Sequence, residues 1–190
     1  MHIIPFSIVY LEDVKKISDE QLGKDYISID DFKTYTLSHN SFINIALFGE
    51  NNVVGFSICQ IENKTDFIKN HMKEFTSFNL PHNSEEIQSI GIINTIATKE
   101  SEKKKGIASA LLTNCEVLLK KRKTQLVYIF AWKSKEGINI EKILKINNFK
   151  AIIEFKKYWY KESIINNFEC ADCGKPPCNC SAILFHKLIV

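Results

Sequence analysis

Apolar residues along the chain follow two different spacings, and each spacing predicts one type of element. Short apolar runs that are continuous, or that alternate with polar residues, predict β-strands. The strands predicted in this way cover residues 3–10, 42–48, 53–61, 87–98, 126–132, 151–160 and 182–190. The sequence Gly-Glu-Asn-Asn separates the second run from the third and predicts that these two strands form a hairpin.

Apolar residues spaced three or four positions apart predict helices. The predicted helices cover residues 12–22, 28–39, 66–75, 106–122 and 138–146. Ser28 stands three residues before Asp31, which predicts a capping box at the start of the second helix. The order of elements predicts a mixed α/β sheet with a strand–helix–strand unit in its middle, within a single domain over residues 1–190.

Composition limits the class of protein further. The chain has 190 residues, of which 45% are hydrophobic, so it is long enough to bury a core. It holds no run of the roughly 18 apolar residues that a membrane span requires. The first residues lack a basic region and a cleavage site of small residues, so we expect no signal peptide and a cytoplasmic protein.

Charge is distributed unevenly between the two halves of the chain. Residues 1–98 carry seven Lys and Arg against thirteen Asp and Glu, which is a net charge of −6. Residues 99–123 have a net charge of +5, and residues 124–190 have a net charge of +4. This asymmetry indicates a site with one end for a cation and one end for an anion, unless it is chance variation of the surface.

The stretch KESEKKKGIASALL at residues 99–112 places Lys103, Lys104 and Lys105 directly before a helix. Cations are unfavourable at a helix N-terminus, where the aligned peptide dipoles already place partial positive charge. Gly106 lets the backbone approach a ligand closely, and the free N–H groups of the first helical turn suit an anion. A bound pyrophosphate would therefore turn the three lysines into counter-ions, whereas without a ligand they would form an ordinary solvated turn.

The pattern K-x-x-G-x-A, formed by Lys103, Gly106 and Ala108, resembles motif A of the GNAT (GCN5-related) N-acetyltransferases, whose signature is Q/R-x-x-G-x-G/A. The later passage KINNFKAIIEF resembles the "GFK" passage of the same family, with Asn148 in place of the glycine. The predicted element order is similar to that of the family along nearly the whole chain. The resemblance implies an α/β (α+β) fold with a mostly antiparallel central sheet, a splayed central strand pair and helices on both faces.

This resemblance also implies that the chain binds acetyl-CoA. The pantetheine arm would pair with the backbone near Ile96 and Thr98, and the pyrophosphate would lie on the N–H groups of residues 104–109. The cofactor-binding residues implied in this way are Ile96, Ala97, Thr98, Lys103, Lys104, Lys105, Gly106, Ile107, Ala108 and Ser109.

The usual acid and base of the family have no counterpart in this chain. The position of the frequent catalytic tyrosine is Leu144, and the position of the frequent carboxylate base falls near Ile92. Asn94 is a substitute candidate, since the two-residue period of a strand places it on the same face as Ile92 and Ile96. Glu86, just before that strand, is the other candidate, beside His82, Glu85, Tyr128, Tyr158 and Tyr160.

Four of the six cysteines fall within CADCGKPPCNC, as Cys170, Cys173, Cys178 and Cys180. Four thiolates in one compact loop suit a tetrahedral Zn²⁺, with His186 as an alternative ligand for one of them. A redox-active dithiol, a soft-metal site such as Cu(I) and plain reduced thiols are the other possibilities. Residues 163–181 are predicted to form a cysteine-rich, zinc-knuckle-like insertion between the last two strands.

The predicted function is acetyl transfer from acetyl-CoA to a primary amine, such as a small cationic amine or a protein lysine or N-terminus. The alternative is a non-catalytic acyl-CoA-binding or zinc-knuckle module, in which Lys120, Lys121, Arg122 and Lys123 contact RNA or an acidic partner. The same four cations also complement the dipole at a helix C-terminus, which argues against a nucleic-acid partner. A monomer or a homodimer without membrane contact is expected.

Overall fold

The computed structural model of the chain describes residues 1–71 and 87–189. The strands are β1 (His2–Pro5), β2 (Ser41–Phe48), β3 (Asn52–Asn63), β4 (Ser89–Thr98), β5 (Leu126–Lys133), β6 (Lys150–Phe155) and β7 (Ser181–Leu188). The helices are α1 (Leu11–Leu22), α2 (Ile29–Leu37), α3 (Lys64–His71), α4 (Ile107–Lys121), α5 (Glu141–Ile146) and α6 (Tyr160–Ile165). Two short 3₁₀ turns lie at Ile8–Tyr10 and Glu100–Glu102.

The seven strands form one sheet in the order β1-β2-β3-β4-β5-β7-β6. All neighbours pair antiparallel except β4 and β5, which run parallel. The predicted mixed, mostly antiparallel sheet is therefore confirmed. The connection from β4 to β5 passes through α4, which gives the strand–helix–strand unit that the sequence predicts.

Helices cover both faces of the sheet. On one face, α4 contributes Leu112, Cys115 and Leu119 to a core that includes Leu144 of α5. On the other face, α1 and α2 bury Val14, Ile17 and Phe32 against β2 and β3, and α3 buries Phe67 against β4 and β5. The sheet thus separates the α4 and α5 side from the α1, α2 and α3 side.

Several local predictions are confirmed. The hairpin between β2 and β3 turns at residues 49–51. The Ser28 side chain accepts a hydrogen bond from the N–H of Asp31, and the Asp31 carboxylate accepts one from the N–H of Ser28, which completes the capping box. The helix predicted over 66–75 corresponds to α3 as far as His71, and the rest of that prediction lies outside the described residues.

Two predicted strands are shorter in the structure. The run 3–10 pairs only as far as Pro5, because Ile8 and Val9 are 57% and 76% exposed and have no layer to bury them. The run 151–160 leaves the sheet after Phe155, where Lys157 adopts a positive φ of 53° that an extended strand does not allow. Helix α6 follows, so the connection from β6 to β7 contains a helix as well as the four cysteines.

Within the described part of the chain, none of the helices combines the length and the apolar character that crossing a membrane demands.

Candidate functional site

The parallel strands β4 and β5 part along most of their length. They pair only at Ile90 with Leu126, Gly91 with Val127 and Ile92 with Tyr128. On its other side, β4 stays paired with β3, but the register shifts between Ile58, opposite Thr95, and Cys59, opposite Ile93. Asn94 is therefore the extra residue of a β-bulge, and a bulge bends a strand away from its neighbour. The predicted splayed strand pair is confirmed.

The bulge also changes which face the following side chains occupy. Ile92 packs with Phe67 of α3 on one face of the sheet, whereas Ile96 packs with Ile107 of α4 on the other face. The prediction that Ile92, Asn94 and Ile96 share a face is therefore wrong. The two-residue period holds only in a regular strand, and one inserted residue inverts it.

Asn94 lies at the point where the two strands separate. Its side chain lines the cleft between them, and its Oδ1 atom is buried without a hydrogen-bond partner among the described residues. A buried carbonyl oxygen without a partner carries a desolvation penalty that a bound ligand can remove. The second predicted catalytic residue, Glu86, lies outside the described residues, as do His82 and Glu85.

The turn before α4 forms a cradle of backbone N–H groups. Gly106 caps the helix with a φ of +82°, and a Cβ atom added there would meet nothing within 4 Å. The first backbone hydrogen bond of the helix runs from Ala110 N–H to Gly106 O, and no N–H from Lys104 to Ser109 donates to a described backbone group. These amides point outward at the positive end of a 15-residue helix, which is the arrangement that binds phosphate groups.

Glutamates offset two of the three lysines at this turn. Lys103 Nζ lies 2.6 Å from Glu100 Oε2, and Lys105 Nζ lies 2.9 Å from Glu102 Oε2. No ion pair of Lys104 occurs among the described residues, and Lys104 is one of the residues that line the cleft. Local carboxylates therefore make the lysine cluster tolerable without a ligand, and Lys104 keeps its charge available to an anion.

A cleft of about 430 Å³ passes through the sheet between the parted strands. Eight of the ten predicted cofactor residues line it, namely Ile96, Ala97, Thr98, Lys103, Lys104, Gly106, Ile107 and Ala108. Lys105 and Ser109 do not line it. On the α4 and α5 side, the cleft is closed by Asn139, Ile140 and Ile143.

The opposite mouth of the cleft is aromatic. Its lining there consists of Gln21, Leu22, Tyr26, Trp159, Phe168, Cys170 and Cys178. The rings of Tyr26 and Phe168 meet edge to face, with centroids 5.0 Å apart. Burial raises the pKa of Tyr26 well above its ordinary value, and the Glu162 carboxylate raises it further. Tyr26 therefore keeps its proton at neutral pH.

Sequence reasoning missed this aromatic wall. The sequence pattern predicts a strand at Trp159, and Tyr26 and Phe168 lie in connections without a motif. The dense aromatic stretch FKKYWY just before the cysteines was the one available indication.

The positions of the family's acid and base are filled by core residues. Leu144 is fully buried beneath α4, and Ile92 is 1% exposed. Among the described residues that line the cleft, Glu102 is the one carboxylate, and it is paired with Lys105. The geometry therefore supplies hydrogen bonds and backbone dipoles around the bulge rather than an acid–base pair of side chains.

The four cysteines of the last connection converge. The Sγ atoms of Cys170, Cys173, Cys178 and Cys180 all lie within 4.8 Å of one another. The backbone N–H of Cys173 donates to Cys170 Sγ, and the N–H of Asn179 donates to Cys173 Sγ, each at 3.4 Å. His186 is not part of this group; it lies on β7, where its ring stacks on that of Tyr128. The structure thus offers a possible metal site with four sulfur ligands.

One thiol of the group is strongly acidified. A hydrogen bond from the Cys178 thiol lowers the pKa of Cys170 to about 5, and N–H donors from Cys173 and Asp172 add to this effect. Burial raises the pKa of Cys180 to about 12. The loop therefore stabilises one thiolate by itself and needs a cation to stabilise four.

No family model matches the chain, and no curated protein does. Solved structures do. Arabidopsis thaliana NAA60 in complex with acetyl-CoA superposes with a TM-score of 0.70 at 14% identity, over 99% of this chain and 98% of that one. Chaetomium thermophilum Naa20 in complex with a bisubstrate analogue gives 0.69 at 13% identity, over 100% and 87%. Arylalkylamine N-acetyltransferase 2 from Aedes aegypti gives 0.63 at 16% identity, over 100% and 99%.

These superpositions cover almost all of each chain and therefore show the fold. The chain has the fold of the GNAT N-acetyltransferases, as its sequence predicts.

Proposed function

We propose that the chain is an acetyl-CoA-dependent N-acetyltransferase that acts on a primary amine by direct transfer. The observation that carries this proposal is one continuous path. It begins at the open amides around Gly106, follows the unpaired edge of β4, and ends at the bulge of Asn94. This path accommodates a diphosphate, an extended arm and a thioester in that order.

The proposed binding of the pyrophosphate is supported by a positive charge and by backbone N–H groups without backbone acceptors. The N–H groups of residues 104–109 and the ammonium group of Lys104 would hold the pyrophosphate. Ile96, Ala97 and Thr98 would flank the pantetheine arm, because the strand edge opposite them is not occupied by β5. Complexes of two structural neighbours contain acetyl-CoA or a bisubstrate analogue, which supports this assignment.

At the bulge, backbone N–H groups would polarise the thioester carbonyl. The amine nitrogen attacks the carbonyl carbon, a C–N bond forms, and the C–S bond breaks to release the CoA thiolate. The thiolate is a tolerable leaving group without an acid, because the pKa of a free thiol is about 8.5. The amine loses its proton to water, and Asn94 Oδ1 would accept a hydrogen bond from the amine and orient it.

The acceptor enters from the aromatic mouth. A small cationic amine, a protein lysine and a protein N-terminus all supply the required primary amine. Neighbours include Naa20, crystallised with a bisubstrate analogue, and an arylalkylamine N-acetyltransferase, so both peptide and small-amine acceptors belong in a screen.

The test has two stages. Acetyl-CoA should raise the melting temperature of the protein, and CoA release should then depend on an amine drawn from a panel of arylalkylamines, polyamines and short peptides. Asn94→Ala should lower kcat about tenfold while leaving acetyl-CoA affinity unchanged, because it removes one oriented hydrogen bond. Stabilisation without turnover on any amine would favour the non-catalytic acyl-CoA-binding module, and no stabilisation would reject both.

We further propose that the four cysteines bind a structural Zn²⁺ that clips the connection between β6 and β7. Four sulfur atoms within 4.8 Å match a closed tetrahedral site without an open position for chemistry. Purified protein should contain one zinc per chain, and chelation should lower its melting temperature by about 5 °C or more, since metal-binding energy is folding energy. Copper in place of zinc, or no metal and an unchanged melting temperature, would contradict the zinc clip.

A further inference from the structure

Two of the four cysteines belong to the wall of the substrate cleft. Cys170 and Cys178 line its aromatic mouth together with Trp159 and Phe168. These four residues belong, with Cys180 and Ala182, to one buried apolar cluster, and the Tyr26 side chain packs against it. Cys173 lies on the outer side of the loop, beside a second, smaller depression. The metal site and the acceptor side of the cleft therefore share one piece of chain.

The same loop is hydrogen-bonded to the segment between α1 and α2. The N–H of Glu169 donates to Lys24 O at 2.9 Å, and the N–H of Ala171 donates to Leu22 O at 3.1 Å. The backbones approach so closely that a Cβ on Gly23 would lie 2.0 Å from Glu169 O. Leu22 and Tyr26 both line the cleft. The position of residues 168–171 therefore determines where these two lining residues lie.

The far end of the loop is tied to α6 and to the turn that precedes it. The N–H of Cys178 donates to Ser163 Oγ at 2.8 Å, and Ser163 is fully buried. The N–H of Tyr158 donates to Cys180 O at 3.1 Å, which holds the backbone beside Trp159, a member of that cluster. None of these contacts involves the turn at Gly106. The end of α1 meets the segment before that turn through one exposed hydrogen bond, from Gln21 Nε2 to Glu100 Oε2 at 3.2 Å.

We propose that metal bound to the four cysteines is the positioning element of the acceptor site. The metal fixes residues 168–171, which hold Leu22 and Lys24 through two hydrogen bonds and Tyr26 through one ring contact, and so sets the shape of the amine entrance. Among the described residues, it reaches the acetyl-CoA end of the cleft only through the exposed hydrogen bond from Gln21 to Glu100, so that end should change little. This inference rests on the proposed acetyltransferase function and on the metal site, and it adds that metal occupancy controls acceptor recognition.

Cys173→Ser tests the proposal because it removes one sulfur ligand without changing the lining of the cleft. Asn179→Ser is the matched control, since this exposed residue meets the sulfur atoms only through its backbone N–H, while its side chain donates to Pro177 O at 3.3 Å. In Cys173→Ser, and in wild type stripped by a chelator, the amine KM should rise about tenfold or more, with the acetyl-CoA Kd changed less than about twofold. Re-addition of Zn²⁺ should restore the amine KM of stripped wild type, and Asn179→Ser should behave as wild type throughout.

Hydrogen exchange supplies a readout that does not depend on turnover. Metal removal should accelerate exchange of the amides of Glu169 and Ala171 and of those at residues 22–27, and leave the hydrogen-bonded amides of α4 at residues 111–119 unchanged. Equal exchange at residues 22–27 with and without metal, an unchanged amine KM, or an equal loss of acetyl-CoA affinity would each overturn the inference and leave the proposed function standing. Metal-dependent exchange in a protein that acetylates no amine would instead reject the proposed function, and the acceptor role with it.

Discussion

At the scale of single residues, Gly106 connects a backbone conformation most directly with the proposed binding of acetyl-CoA. Its φ of +82° is accessible to glycine and costly for other residues. The space around its missing Cβ is open, so the residue is required for conformation and for ligand approach rather than for packing.

We predict that Gly106→Ala lowers the free energy of unfolding by about 1 kcal/mol and weakens acetyl-CoA binding about tenfold or more, because a Cβ enters the cradle. Gly49→Ala is the matched control: Gly49 has a φ of +68° and equally open surroundings, but it lies in the β2–β3 turn. Urea unfolding and calorimetric titration measure the two effects. Equal acetyl-CoA affinity in both variants would contradict the assigned cradle.

Glu62, at the end of β3, makes stability depend on pH. Burial alone would raise the pKa of its carboxyl, but hydrogen bonds from His71, Asn70 and Gln60 outweigh burial and hold this pKa below its ordinary value. A depressed folded-state pKa contributes stability that is present above the unfolded pKa of about 4.3 and is lost as the pH falls through the folded value.

Glu62→Gln should therefore cost about 1 kcal/mol of unfolding free energy at pH 7, and the difference from wild type should shrink as the pH falls below about 4. Denaturant unfolding across this pH range measures it. The control is Glu154→Gln: the pKa of Glu154 is also lowered, by Lys133, but solvent screens this exposed pair, so no comparable loss is expected. A constant difference between Glu62→Gln and wild type at all pH values would refute the linkage.

At the scale of elements, helix α4 combines two functions along one axis. Its buried stripe of Ile107, Leu111, Leu112, Cys115 and Leu119 anchors it to the sheet. Its N-terminus carries no acidic residue in the first turn and offers open amides, while Lys120 and Lys121 complement the dipole at the other end. The helix is therefore held along one buried face and leaves the amides of its positive end for a ligand.

The charge of Lys104 should contribute to acetyl-CoA affinity in a salt-dependent way. Lys104→Ala should weaken binding about three- to tenfold at low ionic strength, and the effect should fade near about 0.5 M salt because exposed charges are screened. Lys121→Ala removes an equal charge from the opposite end of α4 and should change the affinity less than about twofold. Titrations at two salt concentrations distinguish these outcomes, and equal losses in both variants would point to overall charge rather than to the cradle.

At the scale of the whole molecule, the sheet is continuous but is opened at its centre. Beyond Ile92, β4 and β5 are no longer paired with each other. There β4 is paired only with β3, and β5 only with β7. The molecule thus keeps a cleft through its core without dividing into two sheets, and most of the ligand contacts proposed above lie along that opening.

Acetyl-CoA should therefore protect the parted strands from hydrogen exchange. Peptides covering residues 93–98 and 129–133 should exchange faster in the free protein and slow down with ligand, because the amides facing the cleft gain partners. The β2–β3 hairpin, which is paired along its length apart from one register shift after Ala46, should not change and serves as the internal control. Protection confined to other surfaces would mean that acetyl-CoA binds elsewhere.

The sequence by itself determined the features that depend on neighbouring residues. The periods of 2 and 3.6, the capping box at Ser28, the turn at Gly106 and the spacing of the four cysteines are all local, so short-range geometry decides them. The resemblance of the motif at Gly106 and of the element order to the GNAT family also predicted the fold, which the structure confirms.

Tertiary structure decided what depends on pairing between distant segments. The bulge at Asn94 exists only relative to β3, and it alone inverts the faces of Ile92 and Ile96. The contact of Tyr26 with Phe168 and the placement of Cys170 and Cys178 in the cleft join segments that share no local pattern. Strand register and loop contact are set by packing of the entire chain, so no period along the sequence encodes them.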